Sequence, residues 1–340
     1  MLATCVGETV SIKNDLISIC IVTYNRPKLL KEAIQSCLDQ TYRPIEIVIC
    51  DDSKDNLSEK GVEDMKLKCD SRCKIRYEHN NPSLGQAGNV NKCFSMAKGD
   101  RLVLLHDDDL LLPNALSDLS KCWEIIPDLT LAYGKRYNIN MDGTVIKKDT
   151  LSKNGFSITT DKSGLRESSL KFAIYDPLPP NGYMVLSSAA KSVKWRSREE
   201  VGEACDFDFG VRLASKYKKF YFINDYVSKY RLSDESISKS YDGSFEFDIF
   251  NILDRMTVPN PVAHVRKFSM TLTAQGAVLQ HIKLGEKKKA LNIYLSQYYP
   301  LKKRFGLKGI YHLLLIILPN FIACRIINFR KFVKNRLKKL

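Results

Sequence analysis

Carboxylates follow two apolar runs of this 340-residue chain. The triplet Asp107–Asp109 comes one residue after Leu102–Leu105, and the pair Asp51–Asp52 comes directly after Ile45–Cys50. Burying even one unpaired carboxylate costs on the order of several kcal/mol, so each group requires either an exposed strand end or a hard cation with an anionic ligand behind it. The second alternative is the chemistry of an enzyme.

The first alternative is a cluster of caps and turns. Asp is common where strands end and helices begin, and Pro113 suits the first turn of a helix. The presence of two acidic strand ends favours a ligand site, because ligands of open α/β sheets bind in the crevice outside the carboxyl ends of the strands.

The elements that would position these carboxylates alternate between strand and helix. Apolar patterns predict strands over 17–23, 45–50, 74–78 and 102–105, and helices over about 27–40 and 84–97. Because the connections are short, the alternation predicts an α/β fold with a mainly parallel sheet, flanked by helices and joined by right-handed crossovers.

Charge and cysteine usage limit the function classes. The formal net charge is +15, and residues 301–340 contain eleven Lys or Arg but no Asp or Glu. This uneven distribution favours a local basic attachment segment, and no nucleic-acid partner is expected. Cysteines within apolar patterns, such as Cys20 and Cys93, are typical of buried thiols, and the first ten residues lack a secretory pattern. We therefore expect a cytoplasmic location.

Six short motifs lie in order along the first third of the chain: Val22–Arg26, Ser36–Tyr42, Ile47–Ser53, Gly85–Asn89, Ala97–Asp100 and Asp107–Asp109. Together they resemble the family 2 glycosyltransferases of the GT-A fold, of the bacterial surface-polysaccharide type. The resemblance covers about residues 16–240. It implies transfer of a sugar from a nucleotide-sugar, usually a UDP-sugar, with inversion at the anomeric carbon and with Mn²⁺ or Mg²⁺ on the diphosphate.

The resemblance also implies a role for each carboxylate. Counting back from Pro113 makes Asp108 the metal ligand and Asp107 a contact to the ribose or the donor sugar. Counting the triplet as Asp-x-Asp instead makes Asp109 a metal ligand, and Asp109 is in either case expected among the donor-binding residues. Asp52 would hydrogen-bond the uracil edge.

The remaining donor contacts are expected in the turn after the first strand and in the helix that starts near residue 84. Tyr24 would stack near the base with Thr23 close by, and Asn25 and Arg26 continue this donor-binding turn. An ordinary strand-end aromatic is the alternative for Tyr24. Gln86 and Asn89 are spaced so that both can lie on one helix face towards the donor, although a polar face in solvent has the same spacing.

An inverting transfer needs a general base on the sugar face opposite the departing nucleotide. By resemblance the base lies six residues before an Arg-Leu pair, which is Asp206 ahead of Arg212. Cys205 stands where the family usually has Glu, and Asp208 is a close alternative. Asp206 could instead cap a helix that starts near Phe207, and both roles can coexist.

Two later segments are expected near the substrates. Ser233 stands where the family often has a His that contacts the phosphates or the metal, which leaves Arg231 or Lys239 as possible phosphate partners. The segment Pro177–Tyr183 is expected to line the acceptor side as a turn or lid.

The basic C-terminal segment predicts membrane association. Leu313–Leu318 is apolar but is interrupted by Pro319 and falls short of a typical span. Basic and apolar residues alternate after Arg325, as in a helix that lies on anionic lipid, on the inner face of the cell membrane. The alternative is a helix packed on the domain with a solvated basic edge.

We therefore expect a GT-A catalytic domain (1–245), a helical appendage (246–300) and a basic amphipathic tail (301–340). The resemblance implies an activity that moves a hexose-type sugar to a hydroxyl of a glycan acceptor, which we expect to be polyprenyl-diphosphate-linked, during O-antigen or capsule synthesis. Two alternatives stay open: a non-catalytic basic module for membrane or nucleic acid, and another nucleotide-sugar enzyme, either a retaining transferase or a nucleotidyltransferase.

Overall fold

The computed structural model describes residues 16–147, 162–175, 177–232 and 245–337. The strands are β1 (Ile17–Thr23), β2 (Ile45–Asp51), β3 (Cys73–His79), β4 (Arg101–His106), β5 (Leu110–Leu111), β6 (Leu131–Ile139), β7 (Gly164–Leu165), β8 (Tyr183–Leu186) and β9 (Phe220–Arg231). The helices are α1 (Pro27–Leu38), α2 (Leu57–Lys66), α3 (Gly85–Met96), α4 (Ala115–Ile125), α5 (Ser169–Tyr175), α6 (Ser187–Val193), α7 (Arg198–Val201), α8 (Cys205–Lys216), α9 (Phe245–Arg255), α10 (Asn260–Lys283), α11 (Lys287–Leu295), α12 (Leu301–Arg304), α13 (Leu307–Ile317) and α14 (Asn320–Leu337).

One sheet contains all of these strands in the order β3-β2-β1-β4-β8-β6-β9-β5, with β7 also paired to β9. The first four strands are parallel, as are β6 and β9. Strand β8 is antiparallel to both β4 and β6. The predicted α/β fold with a mainly parallel sheet is confirmed, while the antiparallel insertion of β8 has no signal in the local sequence pattern.

The central strands are apolar along their whole length because both of their faces are covered. Every residue of β1 and β2 is buried, so neither strand shows the alternation of a sheet with one wet face. In the register of the sheet, Thr23 pairs with Asp51 and Val22 pairs with His106. The chain therefore leaves β1, β2 and β4 at the same edge of the sheet.

The C-terminal helices continue the core of the sheet. One apolar cluster includes Phe222 of β9, Phe250 of α9, Ala277 of α10 and Leu315 of α13. Helix α13 buries Gly309, His312, Leu315 and Ile316, so its inner face packs on the domain. For this face the structure agrees with the alternative to membrane association, a helix packed on the domain. No helix in the described ranges is both long and apolar enough to cross a bilayer.

The predicted boundaries at residues 245 and 300 stay predictions. Ser233 and Lys239, together with the first fifteen and the last three residues, lie outside the described ranges, so their predicted roles have no structural counterpart here.

Candidate active site

Asp107 joins the ends of β1 and β4. Its Oδ2 accepts hydrogen bonds from Thr23 Oγ1 at 2.7 Å and from the Tyr24 backbone N–H at 3.3 Å. Burial and the neighbouring Asp108 charge raise the pKa of Asp107, whereas Arg26 and Thr23 act in the opposite direction. The buried carboxylate thus has the donors that it needs, and it holds the turn after β1 in place.

Arg26 bridges two of the three carboxylates. Its Nη1 donates to Asp107 Oδ1 at 3.2 Å and to Asp108 Oδ2 at 2.7 Å. The Asp108 side chain is 16% exposed and the Arg26 side chain 31% exposed, so this ion pair opens to solvent. The Arg26 guanidinium therefore lies between Asp107 and Asp108, at a position that would also attract a divalent cation.

Asp109 is turned into the protein. It is fully buried, and its Oδ1 accepts a 2.8 Å hydrogen bond from the Arg231 backbone N–H. Burial and the Asp108 charge raise the pKa of Asp109 well above its usual range. The Arg231 guanidinium donates to the Asp108 carbonyl at 2.8 Å and to Glu32 Oε2 at 2.7 Å. Through these contacts Asp109 and Arg231 hold the triplet against the interior of the protein.

Asp52 accepts four hydrogen bonds at the end of β2. The donors are the Ser83 hydroxyl, the Asn80 side-chain amide and the backbone N–H groups of Leu84 and Gly85, at 2.6–3.0 Å. The carboxylate thereby fixes the chain at the start of α3. A contact to a uracil edge, which stays a prediction, would have to replace or share one of these bonds.

The turn after β1 presents its aromatic side chain to solvent. Tyr24 is 49% exposed. Asn25 has a positive φ of 55° and its N–H donates to Ser53 Oγ at 2.7 Å, so the turn is held against the end of β2. The ring is therefore accessible from solvent, and the stacking that the resemblance implies stays a prediction.

Gln86 and Asn89 lie one helical turn apart on α3 but face different surroundings. The Asn89 side chain is buried, donates to the Cys50 carbonyl at 3.0 Å and accepts from Asn80 at 2.8 Å. Gln86 is exposed. The two amides thus have different surroundings, and a donor contact by either one stays a prediction.

Asp206 and Asp208 lie in the first turn of α8, whose N-cap is Ala204. Asp206 Oδ1 accepts from the Phe207 N–H at 2.8 Å, and burial raises the pKa of Asp206. His106, which directly precedes Asp107 in the chain, is close enough to oppose that rise. Asp206 therefore lies within electrostatic reach of His106, the last residue of β4.

Asp208 is held in ion pairs. Its Oδ2 is 2.7 Å from a nitrogen of Arg212, and its Oδ1 is 3.5 Å from Arg196 Nη1. Because only 1% of Asp208 is exposed, its charge is committed to these partners.

Arg136 of β6 is a charged residue near the candidate site that no motif indicated. Its positive charge lowers the pKa of both Asp109 and Asp206, and its guanidinium carbon lies 4.9 Å from the centre of the Tyr230 ring. Only the pairing of β6 with β9 brings Arg136 to this point, so the local sequence carries no signal for it.

A divalent metal fits the pair of carboxylates that Arg26 bridges. The described residues contain no group of three or more His, Cys, Asp or Glu side chains that could hold a metal ion. Mg²⁺ and similar ions commonly use one or two carboxylates, with waters and substrate phosphates as the other ligands. Asp108 with Asp107 supplies that smaller set.

Residues 18–180 match the family model described as Glycosyl transferase family 2. The chain carries a glycosyltransferase family 2 domain. This domain contains the ends of β1, β2 and β4, and the chain is accordingly a glycosyltransferase.

Known glycosyltransferases share parts of this sequence. The chain is 28% identical over 218 residues to the uncharacterized glycosyltransferase MJ1057 of Methanocaldococcus jannaschii. This match covers 64% of this chain and 71% of that protein. The chain is also 36% identical over 104 residues to the UDP-Glc:alpha-D-GlcNAc-diphosphoundecaprenol beta-1,3-glucosyltransferase WfaP of Escherichia coli. That match covers 31% of this chain and 39% of WfaP.

The fold of this glycosyltransferase is similar to that of a solved structure. The mannosyltransferase PcManGT from Pyrobaculum calidifontis, in complex with GDP-Man and Mn²⁺, matches 90% of this chain and 87% of its own with a TM-score of 0.54. At 13% sequence identity this match concerns the fold alone, which is of the GT-A type.

Proposed function

We propose that this glycosyltransferase transfers a hexose-type sugar, with inversion, from a UDP-sugar to a hydroxyl of a lipid-linked glycan in O-antigen or capsule synthesis. The observation that carries the proposal is the arrangement at the end of β4, where Arg26 bridges Asp107 and Asp108 and where His106 is close enough to lower the pKa of Asp206. The name of WfaP supports the substrates, since it specifies UDP-Glc and a diphosphoundecaprenol-linked acceptor.

Asp108 is the proposed metal ligand, and Asp107 supports it. Asp108 is partly exposed, whereas Asp109 is buried and bonded to the Arg231 backbone, which favours Asp108 of the two candidates. When bound, Mn²⁺ or Mg²⁺ would neutralise the charge that grows on the diphosphate leaving group. Asp108 must then give up its contact with Arg26, whose guanidinium becomes available to the phosphates.

Asp206 is the proposed general base. Its carboxylate takes the proton from the acceptor hydroxyl while that oxygen attacks the anomeric carbon and the bond to the nucleoside diphosphate breaks. Burial strengthens Asp206 as a base because it raises the pKa of the carboxyl. Asp208 is the weaker candidate since its charge is paired with Arg212 and Arg196.

The outer face of α13 is the proposed membrane contact. Leu307, Ile310, Leu314 and Ile317 recur at helical spacing and are 48–90% exposed, opposite the face that packs on the domain. Exposed Lys and Arg side chains before and after this helix would attract anionic lipid. A lipid-linked acceptor presents its sugar at the same surface, so a seat on the inner face of the cell membrane places enzyme and acceptor together.

The experiment is a panel of nucleotide-sugars, each supplied with Mn²⁺ or Mg²⁺ and a short polyprenyl-diphosphate glycan, with the product's anomeric configuration read by NMR. We expect one UDP-sugar to give an inverted product, and EDTA to stop the reaction. Asp108→Ala should lose Mn²⁺ binding, whereas Asp118→Ala, on α4 and with a side chain that is 36% exposed, should retain it. A retained configuration, transfer of a nucleotidyl group, or no transfer with any donor would contradict the proposal.

A further inference from the structure

A cavity of about 720 Å³ lies among helices α7, α9, α10 and α11. Val201 and Gly202 line it on one side, and Asn292, Ser296 and Tyr298 on another. The strand-end residues of the candidate active site do not line this cavity. Pockets for small ligands measure about 300–1,000 Å³, so this one has the volume to hold more than a single sugar ring.

The walls of the cavity combine aromatic rings with side-chain amides. Phe250 and Tyr298 pack nearly perpendicular with centroids 5.8 Å apart, and Phe247 lies nearly perpendicular to His281 at 4.9 Å. Asn292 adds an amide. A sugar ring matches this mixture, because its C–H face packs on aromatic rings while its hydroxyls exchange hydrogen bonds with amides and carboxylates.

The charge of the walls distinguishes between ligands. Five carboxylates line the cavity against three Lys or Arg side chains, and the carboxylate of Glu286 already binds His281 and Lys289 at 2.7 Å. This excess of negative charge disfavours a diphosphate or a nucleotide. It favours a neutral ligand with many hydroxyl donors, which carboxylates bind strongly.

The cavity adjoins the proposed general base through a short piece of chain. Asp206 comes four residues after Gly202, and four residues span at most about 14 Å. Asp248 Oδ2 accepts from the Glu203 N–H at 2.9 Å, and Gly202, at φ +68°, leaves no room for a Cβ beside the Asp248 carboxylate. The wall of the cavity is thereby tied to the segment that leads to Asp206.

The opposite side of the cavity adjoins the helix with the exposed apolar face. Helix α11 carries Asn292 in the cavity wall and also Lys287, which donates to the carbonyls of Leu315 and Leu318 at 2.5 Å. The cavity wall thus includes one residue within about 14 Å of chain from the proposed base and one helix that contacts α13, which suits a glycan held near Asp206 at one end and by its lipid at the other.

We infer that this cavity is a binding site for the neutral sugars of the acceptor glycan that precede the residue whose hydroxyl reaches Asp206. The inference rests on the proposed function for the identity of its ligand. It assigns acceptor recognition to the C-terminal helices, separately from the donor site at the strand ends.

The test compares Asn292→Trp, which adds bulk at the cavity wall, with Gln297→Trp, at an exposed amide outside the lining. Each protein is applied to an array of bacterial oligosaccharides of one to five sugars, and melting curves report folding. We expect the wild type and Gln297→Trp to bind the same oligosaccharides and Asn292→Trp to bind them at least tenfold more weakly. If Asn292→Trp melts early, Asn292→Leu replaces it.

The inference is overturned if the wild type binds no oligosaccharide, if Asn292→Trp binds like the wild type, or if both variants lose binding equally. Turnover of nucleotide-sugars by the wild type is measured separately. Turnover without cavity-dependent glycan binding would leave the proposed function intact and overturn the inference. Glycan binding in the cavity without turnover would contradict the proposed function, and the cavity would remain a glycan site whose ligand is not an acceptor.

Discussion

Asp206 and Asp208 differ in surroundings although they are two residues apart, and this difference predicts opposite mutant phenotypes. Asp206→Asn should lower kcat for transfer by a factor of about 10²–10⁴, because no carboxylate remains to take the proton from the acceptor hydroxyl. The melting temperature should be unchanged. Asp208→Asn should lower the free energy of unfolding by about 1–3 kcal/mol, because Arg212 and Arg196 lose a charged partner, while the folded protein remains active. Initial rates and urea unfolding of both variants distinguish these outcomes.

The pH dependence of the transfer rate provides a control for the assignment of Asp206. Because burial raises the pKa of Asp206, the base becomes protonated, and the rate falls, at a pH above the ordinary Asp value of about 3.9. The wild type should show this acidic limb, and Asp208→Asn should keep it. Full activity of Asp206→Asn would remove Asp206 from the mechanism.

Among the elements, α13 is held to the domain through a buried imidazole. His312 Nδ1 and the Tyr299 hydroxyl are hydrogen-bonded at 2.9 Å, and burial, with Arg330 and Lys308 nearby, lowers the pKa of His312 to about 4. In the unfolded chain the value is about 6.5, so the stability from neutral His312 is complete above pH 6.5 and is lost as the pH falls to about 4.

We therefore expect the unfolding free energy to fall by about 2 kcal/mol between pH 7 and pH 5 because of His312. His312→Gln should remove most of this difference, and His264→Gln, at an exposed position of α10, should leave it unchanged. Urea titrations at both pH values measure the effect. An equal pH dependence in the wild type and His312→Gln would contradict this account of α13.

For the whole molecule, the tail cannot be removed without disturbing the core. Leu315, Ile316 and Ala323 are buried in the apolar cluster that also contains residues of the sheet, so truncation after Pro300 would expose that cluster. Point substitutions on the outer face of α13 are the better test of membrane binding, because they leave the inner face unchanged.

Ile310→Glu combined with Leu314→Glu should weaken binding to phosphatidylglycerol vesicles at least tenfold, since it replaces apolar surface with charge that anionic lipid repels. Leu295→Glu, 58% exposed on α11 and outside the face, is the matched control. Vesicle co-sedimentation at low and high salt measures both the apolar and the electrostatic parts. Unchanged binding by the double variant would show that α13 does not contact lipid.

The strand ends and their carboxylates could be predicted from local sequence. A strand covered on both faces must be apolar throughout, so β1, β2 and β4 stand out, and the polar residues that follow them mark one edge of a parallel sheet. In the structure, Asp52 and Asp107 lie at the edge of the sheet that the sequence predicts. The matched family 2 domain contains the same motifs.

Partners that are distant in the chain were decided only by the tertiary structure. Spacing placed Gln86 and Asn89 on the same helix, but packing of α3 on the sheet buried one amide and exposed the other. Asp109 is interior because β9 brings Arg231 to it across 122 residues of sequence. The cavity among α7, α9, α10 and α11 has the same origin. Local patterns specify elements and their ends, whereas the partner of a side chain depends on how remote elements pack.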